Sequence, residues 1–359
     1  MTPADDRGTT MPSAGLWERV DRLIDRAPDL AGLRAHRLHL LAARRWRALG
    51  RTVPEDLVRE ERLAAMWVVT APVVLRRLRE ACGGPVLLVK GLEVASHYPD
   101  RVLRPFIDVD VIVPDAEKVQ GELLAAGFVP MAAAEHVAAY HLTPLRLPDL
   151  PVRVEVHRRP RWIAGFEGPS HDLFSLAVES RSGVAGIGTL PAGHHAMVVA
   201  AHSWLHEPLR RALDLVDVAV LCEGQDEEEL RSLARAYGLE RVWRTTEAAR
   251  RALLGDGPAP LSLRLWARNL AQLRERTVLE FHLARWLGGF WALPPRRAAA
   301  RLASALAEDV LPAPGETWKA KLARARLALR DAAVARSLHE REINRAGRNG
   351  DGRAADLAE

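Results

Sequence analysis

Cysteine is almost absent from this chain of 359 residues: there are two, Cys82 and Cys222, far apart and in unlike contexts. Neither a disulfide framework nor a CxxC metal site can be built from them. Aromatic residues make up only 5%, which leaves no basic tract interleaved with rings on which bases could stack. No apolar run approaches the roughly 18 residues of a membrane span. The opening segment MTPADDRGTTMPSAG has neither the basic start nor the apolar centre of a secretion signal. The expectation is a cytoplasmic protein with no membrane partner. Its formal charge is +5, but the arginines are spread through helical segments with acids between them, as in RLALRDAAVARSLHEREINRAGR. That is the pattern of solvated helix faces, so nucleic acid is not an expected partner.

What is present is enough apolar material, 48% of residues, for a substantial core. Four zones can be read. Residues 1–81 form a helical N-terminal region, with apolar positions at helix period such as Leu63, Met66, Trp67, Val74 and Leu78. Residues 82–190 change texture to short β-branched runs broken by Gly and Pro (PVLLVKG, FIDVDVIVP, HVAAYHLTPL, PVRVEVHR), with one helical interval over 116–126. Residues 191–293 return to helices closed by Gly and Pro signals, and 294–359 are helical and Arg/Ala-rich, ending in about fifteen aperiodic residues expected to be disordered. No internal repeat is visible.

The informative stretch is LLVKGLEVASHYPDRVLRPFIDVDVIVP, Leu87 to Pro114. Strand side chains alternate faces, so Asp108 and Asp110 project from one side about 6 to 7 Å apart, with Ile107, Val109 and Val111 on the other. Two carboxylates this close repel unless one is protonated or a cation lies between them. Mg²⁺, which takes oxygen ligands and enters with substrate phosphates, is one answer; an edge strand showing its acids to solvent is the other. Upstream, PVLLVKG followed by LEVASHY reads as a buried strand, a Lys90-Gly91 turn and a short helix, an arrangement that offers backbone N–H groups and the Lys90 charge to a phosphate. Glu93 reads as a favourable charge at the start of that helix. Downstream, a Pro-Asp-Leu-Pro turn precedes VRVEVH, which puts Glu155, a third acid, and His157 on one face of a neighbouring strand. Arg104 either approaches phosphates with its planar fork or holds its loop by an ion pair to Asp100 or Asp108.

Taken together, these segments resemble the nucleotidyltransferase fold superfamily, and within it the bacterial family-5 branch of uncharacterised nucleotidyltransferases. That branch has an LLKG turn, a YPDP…LRPxxDIDLLV segment and a later IDLHW strand. Here they stand as Leu87-Leu88-Val89-Lys90-Gly91, as Tyr98-Pro99-Asp100 through Leu103-Arg104-Pro105 to Val113, and as Val154-Glu155-Val156-His157-Arg158. A further pattern, LPxxxHxxxxxxHxxxH…LRxxxD, appears as Leu190-Pro191, His195, His202, His206, Leu209-Arg210 and Asp214, so the resemblance runs from about Leu57 to Gly255. It implies an α+β fold: a mixed β-sheet core flanked by N-terminal helices and a C-terminal helical domain. It also implies transfer of a nucleoside monophosphate from an NTP, ATP first among them, to a small-molecule or peptide/protein acceptor. Asp108, Asp110 and Glu155 fall on the positions that hold Mg²⁺ (or Mn²⁺) and carry catalysis, and Lys90, Gly91 and Arg104 on the phosphate side. Two departures stand out: Glu155 replaces the branch's usual Asp, and the wider superfamily's Gly-Ser turn is Lys-Gly here.

His157 shares the face of Glu155 and bonds either a carboxylate or the acceptor, or makes a structural contact. His202 and His206 lie four apart on one helical face with His195 two turns earlier, a zinc-like spacing, but HSWLH lacks the glutamate of HExxH. They are expected to line a helical lid on the acceptor side or to satisfy one another. The alternatives to this reading are an inactive descendant that binds a nucleotide or partner, and an RNA-directed transferase.

Overall fold

The computed structural model describes residues 14–131, 142–160, 172–255, 257–313, 315–334 and 337, with the side chains of residues 14, 205 and 206 left out. The expected disordered tail and the HVAAYH part of the HVAAYHLTPL strand candidate lie outside these residues. Four helices open the chain: α1 (Ala14–Asp25), α2 (Leu30–Ala35), α3 (His39–Ala48) and the long α4 (Glu55–Ala81). The sheet region follows as β1 (Leu87–Leu88), the single turn α5 (Leu92–Ala95), β2 (Asp108–Ile112), α6 (Ala116–Ala125), β3 (Val129–Pro130), β4 (Leu145–Arg146), β5 (Arg153–His157), β6 (Val178–Glu179) and β7 (Gly188–Thr189). Then come α7 (Ala192–His206), α8 (Ala212–Leu221), α9 (Glu227–Ala236), α10 (Glu240–Leu254), α11 (Leu261–Leu265), α12 (Arg268–Gln272), α13 (Val278–Leu287), α14 (Gly289–Ala292), α15 (Pro295–Val310) and α16 (Trp318–Ala333). No described helix is long and apolar enough to cross a membrane.

The strands join in the order β3-β4-β5-β2-β1-β7-β6. The sheet is mixed: β2 runs parallel to β5 and antiparallel to β1, and β1 runs parallel to β7. The fold is therefore α+β, as expected. Alternation on β2 assigns each face of the sheet to a different core. Val109, Val111, Val154 and Val156 pack with Leu75 and Leu78 of α4 and Leu123 of α6. Leu87, Val89 and Ile112 point the other way, into a larger core made by α1–α3 together with α7–α12. Local signals place the helices that cover the sheet. Asp115 caps α6 by accepting from the Lys118 N–H (3.0 Å), and Asp226 caps α9, whose first turn carries Glu227, Glu228 and Glu229 against the positive helix end.

Buried histidines tie the layers together. His195 of α7 donates from Nε2 to the Val89 carbonyl at the end of β1 (2.7 Å). The ring of His36, after α2, reaches the Asn269 and Arg274 carbonyls through Nε2 (3.1 and 2.9 Å) and accepts the Ala212 N–H at Nδ1 (3.2 Å). Burial lowers His36 and His195 to about 4, and His97 to about 3, from an ordinary 6.5. Between those values the unfolded chain binds protons that the folded chain refuses, so stability falls as pH drops from about 6.5 toward 4. Urea midpoints are expected to fall between pH 7 and pH 5, with His195→Gln, which keeps an N–H donor, reducing the slope. Equal midpoints at the two pH values would contradict this account.

Candidate active site

The parallel pairing of β2 with β5 sets Asp110 directly beside Glu155, and Asp108 beside Arg153. Register partners in adjacent strands share a face, so the three acids sit together on the side covered by α7 and α8. They line one cleft of about 310 Å³ with Lys90, Gly91 and His202. The edge-strand reading of the DVD segment fails here, because β2 lies between β5 and β1 in the middle of the sheet.

Asp110 is the centre of the polar network and is only 2% exposed. His157 Nε2 donates to its Oδ1 (3.0 Å) and lies 3.6 Å from Glu155 Oε2. The Lys90 ammonium stands 3.6 Å from Asp110 Oδ2 and donates to His202 Nε2 (2.9 Å). Burial alone would raise the Asp110 carboxyl; Lys90 and the His157 hydrogen bond outweigh it and hold the group well below the carboxylate range. Burial likewise disfavours the His157 cation, yet its two carboxylate neighbours raise it above the ordinary value. Asp108 moves the other way. Its carboxyl is raised by burial and by Asp110 and Glu155, against Lys90 and Arg153. Two strand neighbours thus differ in how readily they ionise, because only Asp110 has both a cation and a donor against it.

The Lys90-Gly91 turn is built to lie against β2. Gly91 has φ +61°, and a Cβ on it would run into the Asp108 carbonyl oxygen. The left-handed backbone alone disfavours a side chain by about 1–2 kcal/mol. Gly91→Ala is expected to destabilise the fold by more than that backbone term, because β2 must shift, and to displace Lys90. Thermal denaturation checks it, and an unchanged melting temperature would show that the turn has slack. The helix after the turn, α5, is a single turn, too short for a substantial helix-end field. The positive character expected at this corner therefore rests on Lys90.

Two side chains beside the turn have partners distant in sequence. Glu93 lies in the first turn of α5, as expected, and is fully buried; Oε2 accepts from the Ser180 hydroxyl and the Arg181 N–H (3.0 Å), fastening α5 to the loop after β6. Arg104 pairs with neither Asp100 nor Asp108. Its Nε and Nη2 donate to the two oxygens of Asp217 on α8 (2.8 Å each), and Nη1 lies 3.4 Å from the Gly91 carbonyl. Tyr98 adds a hydroxyl to Asp217 Oδ1 (2.7 Å). Arg104 borders the cleft, but the donors expected at phosphate are taken by the fold.

The chain matches the family model described as "Uncharacterised nucleotidyltransferase" over residues 27–253. It belongs to this nucleotidyltransferase family. The matched span starts before the segment that carries the sequence resemblance and takes in α2 and α3. Among solved structures, the solution structure of the antibiotic-resistance factor ANT(2'')-Ia is similar at 16% identity and a TM-score of 0.34, covering 50% of this chain and 95% of that one. No curated protein matches.

A family of this kind implies a divalent cation, and the donors can be tested for it. Among the described residues one group of metal-capable atoms converges, from Asp110, Glu155 and His157, all within 4.8 Å of one another. Asp110 Oδ2 is buried and accepts no hydrogen bond, the state of a carboxylate oxygen with a lone pair left for a cation. The donors are hard oxygens, as Mg²⁺ or Mn²⁺ requires. His157 joins the group in place of Asp108, but its Nε2 carries the proton shared with Asp110, so its role in this geometry is to orient a carboxylate. The residues fit the ion. His195 and His202 do not converge with them: one ring is on the Val89 carbonyl, the other on Lys90. The side chain of His206 lies outside the described residues.

Sequence reasoning did not find Asp217 as the partner of Arg104 or His202 as the partner of Lys90. It also missed the arginines Arg37 and Arg211, which line the same cleft. The LRxxxD pattern pointed at Arg210 and Asp214, whereas the residue that caps α8 and faces Asp214 is the next one, Arg211.

Proposed function

We propose that this protein transfers a nucleoside monophosphate from an NTP, with ATP as the first candidate, to a hydroxyl or similar oxygen of a small-molecule or peptide/protein acceptor, in a reaction dependent on Mg²⁺ or Mn²⁺. The observation that carries the reading is that Asp108, Asp110 and Glu155 line one cleft on one sheet face beside the Lys90-Gly91 turn. Asp108, Asp110 and Glu155 would hold the divalent cation. When bound, such ions neutralise the triphosphate and favour in-line displacement at the α-phosphorus.

The chain's own groups do the rest. Lys90, already 3.6 Å from Asp110 Oδ2, turns its ammonium to the phosphate oxygens, and Gly91 keeps the turn close enough for them to approach. His157 fixes the Asp110 carboxylate so that its free oxygen faces the cleft. Glu155, on the cleft side of β5, takes the acceptor's proton as the new P–O bond forms and pyrophosphate leaves. His202 restrains Lys90. Arg104 positions the Gly91 turn through Asp217 rather than touching the nucleotide.

The test is incubation with each NTP and Mg²⁺, followed by intact-mass measurement of candidate acceptors and of the protein itself. An NMP mass increment that requires the metal supports the reading. NTP binding without an increment on any acceptor supports the alternative, a nucleotide-binding protein of the fold that does not turn over.

A further inference from the structure

The acids occupy one wall of the cleft; the other wall carries positive charge that the catalytic reading leaves unused. Arg37 and Arg211 both line the cleft, and neither has a hydrogen-bond or ion-pair partner among the described residues. Their neighbour Arg210 differs, being paired with Glu207 (3.1 Å). Two unpaired guanidinium groups facing one space repel each other, as the lowering of Arg37 by burial and then by Arg211 reflects, with Asp214 and Asp108 opposing it. The acid that faces them from the helical wall is Asp214, a single carboxyl that burial raises against the pull of Arg211 and Arg37, so an anion brought between the two forks has both guanidinium groups to bind.

The backbone that delivers them is held on purpose-built supports. Arg37 is a non-glycine residue at φ +56°, a conformation that persists where surrounding contacts over-determine it. The contacts are those of His36, whose ring is bonded at both nitrogens and whose carbonyl accepts the Leu213 N–H (3.3 Å). The segment before Arg211 is treated alike. Leu209 has φ +49°, and buried Arg276 donates to the Pro208 and Leu209 carbonyls (2.9 and 3.0 Å). Two strained turns, more than 170 residues apart in the chain, are locked in this way, one at Arg37 itself and the other two residues before Arg211, and both arginines reach the same cleft.

We infer that Arg37 and Arg211 form a phosphate-binding site on the helical wall, opposite the acids, with Arg37 supplied by the N-terminal helices rather than by the catalytic sheet. The site takes a phosphate group by bidentate contact, which a planar guanidinium suits better than lysine does. It serves either the terminal phosphates of the NTP or a phosphate carried by the acceptor. The inference rests on the nucleotidyl-transfer reading only for the source of that phosphate.

The probe is inorganic tripolyphosphate, titrated calorimetrically into the full chain. Arg37→Gly removes the guanidinium while placing at φ +56° the residue that tolerates it best, so its melting temperature should hold; Arg211→Gln is the second variant. Each should weaken tripolyphosphate binding at least tenfold, and Arg231→Gln, on the cavity between α9 and α10, should not. Affinities equal to the parent in both cleft variants overturn the site. ATP with Mg²⁺ separates the sources: a parallel loss assigns the arginines to the nucleotide tail, and unchanged ATP affinity with lost tripolyphosphate binding assigns them to a phosphate-bearing acceptor. A parent that binds tripolyphosphate through these arginines but never transfers a nucleotide rejects the reaction and keeps the site.

Discussion

Asp110→Asn should reduce nucleotidyl transfer by about 10³-fold or more, the scale on which a group that stabilises developing charge acts. Three changes coincide in this one substitution. A carboxylate oxygen that is buried and unbonded is replaced by an amide that offers a cation less. The Lys90 ammonium loses its anionic partner at 3.6 Å. The His157 ring loses the nearer of its two carboxylate neighbours, at 3.0 Å against 3.6 Å for Glu155. Mg²⁺ with ATP should raise the melting temperature of the parent, because a ligand that binds the native state stabilises it by mass action, and the increment should vanish in the variant. Lys90→Ala should differ in kind, raising KM for the NTP while leaving the metal dependence in place. Retained turnover in Asp110→Asn would move the metal site elsewhere and with it the role of β2.

The second large effect is on stability and lies at Arg104 and Asp217. Both are buried and joined by two hydrogen bonds, with Tyr98 as a third member. Burial opposes the guanidinium charge, but Asp217 more than compensates and raises Arg104 above its ordinary value. Removing one partner strands the other as an uncompensated charge, at about 3–5 kcal/mol, a large share of the ~5–15 kcal/mol that holds a domain folded. Asp217→Ala should be the more damaging of the two, since it leaves both Arg104 and the Tyr98 hydroxyl without an acceptor. Tyr98→Phe should cost about 1 kcal/mol. Urea denaturation of the two single variants and of Arg104→Met with Asp217→Leu gives the coupling: the double variant should be more stable than the sum of the singles implies. Single variants that each lose under 1 kcal/mol would show the pair to be peripheral.

The acidic face was readable in the sequence because it depends on short-range rules. Alternation placed Asp108 with Asp110 and Glu155 with His157, and the parallel pairing of β2 with β5 needed only that the two strands be neighbours. Gly91 was legible as a turn residue, though not the reason for it, the carbonyl of Asp108 lying against it. What escaped was set by contacts distant in sequence. Nothing near Arg104 announces that its acceptor is 113 residues away, and a lysine at a strand end gives no sign that a histidine on α7 will accept from it. Glu93 opens its helix as expected, but nothing beside it in sequence shows that the loop after β6 closes over it. Arg37 was invisible for a related reason, since it reaches the cleft from helices that precede the sheet.

The two faces of the sheet belong to separate cores. Strand β2 contributes Val109 and Val111 to the core under α4 and α6, and Ile112 to the one under α7. The cleft is therefore walled on one side by a hydrogen-bonded ladder and on the other by helices that share no ladder bond with it. Cleft-lining positions of α7 that anchor neither the sheet nor the Lys90 turn, such as Val199 and Ser203, can be exchanged without disturbing the strand register that aligns the acids. For directed evolution these are the positions to diversify, with His195, His202, Asp217 and the strand wall left alone.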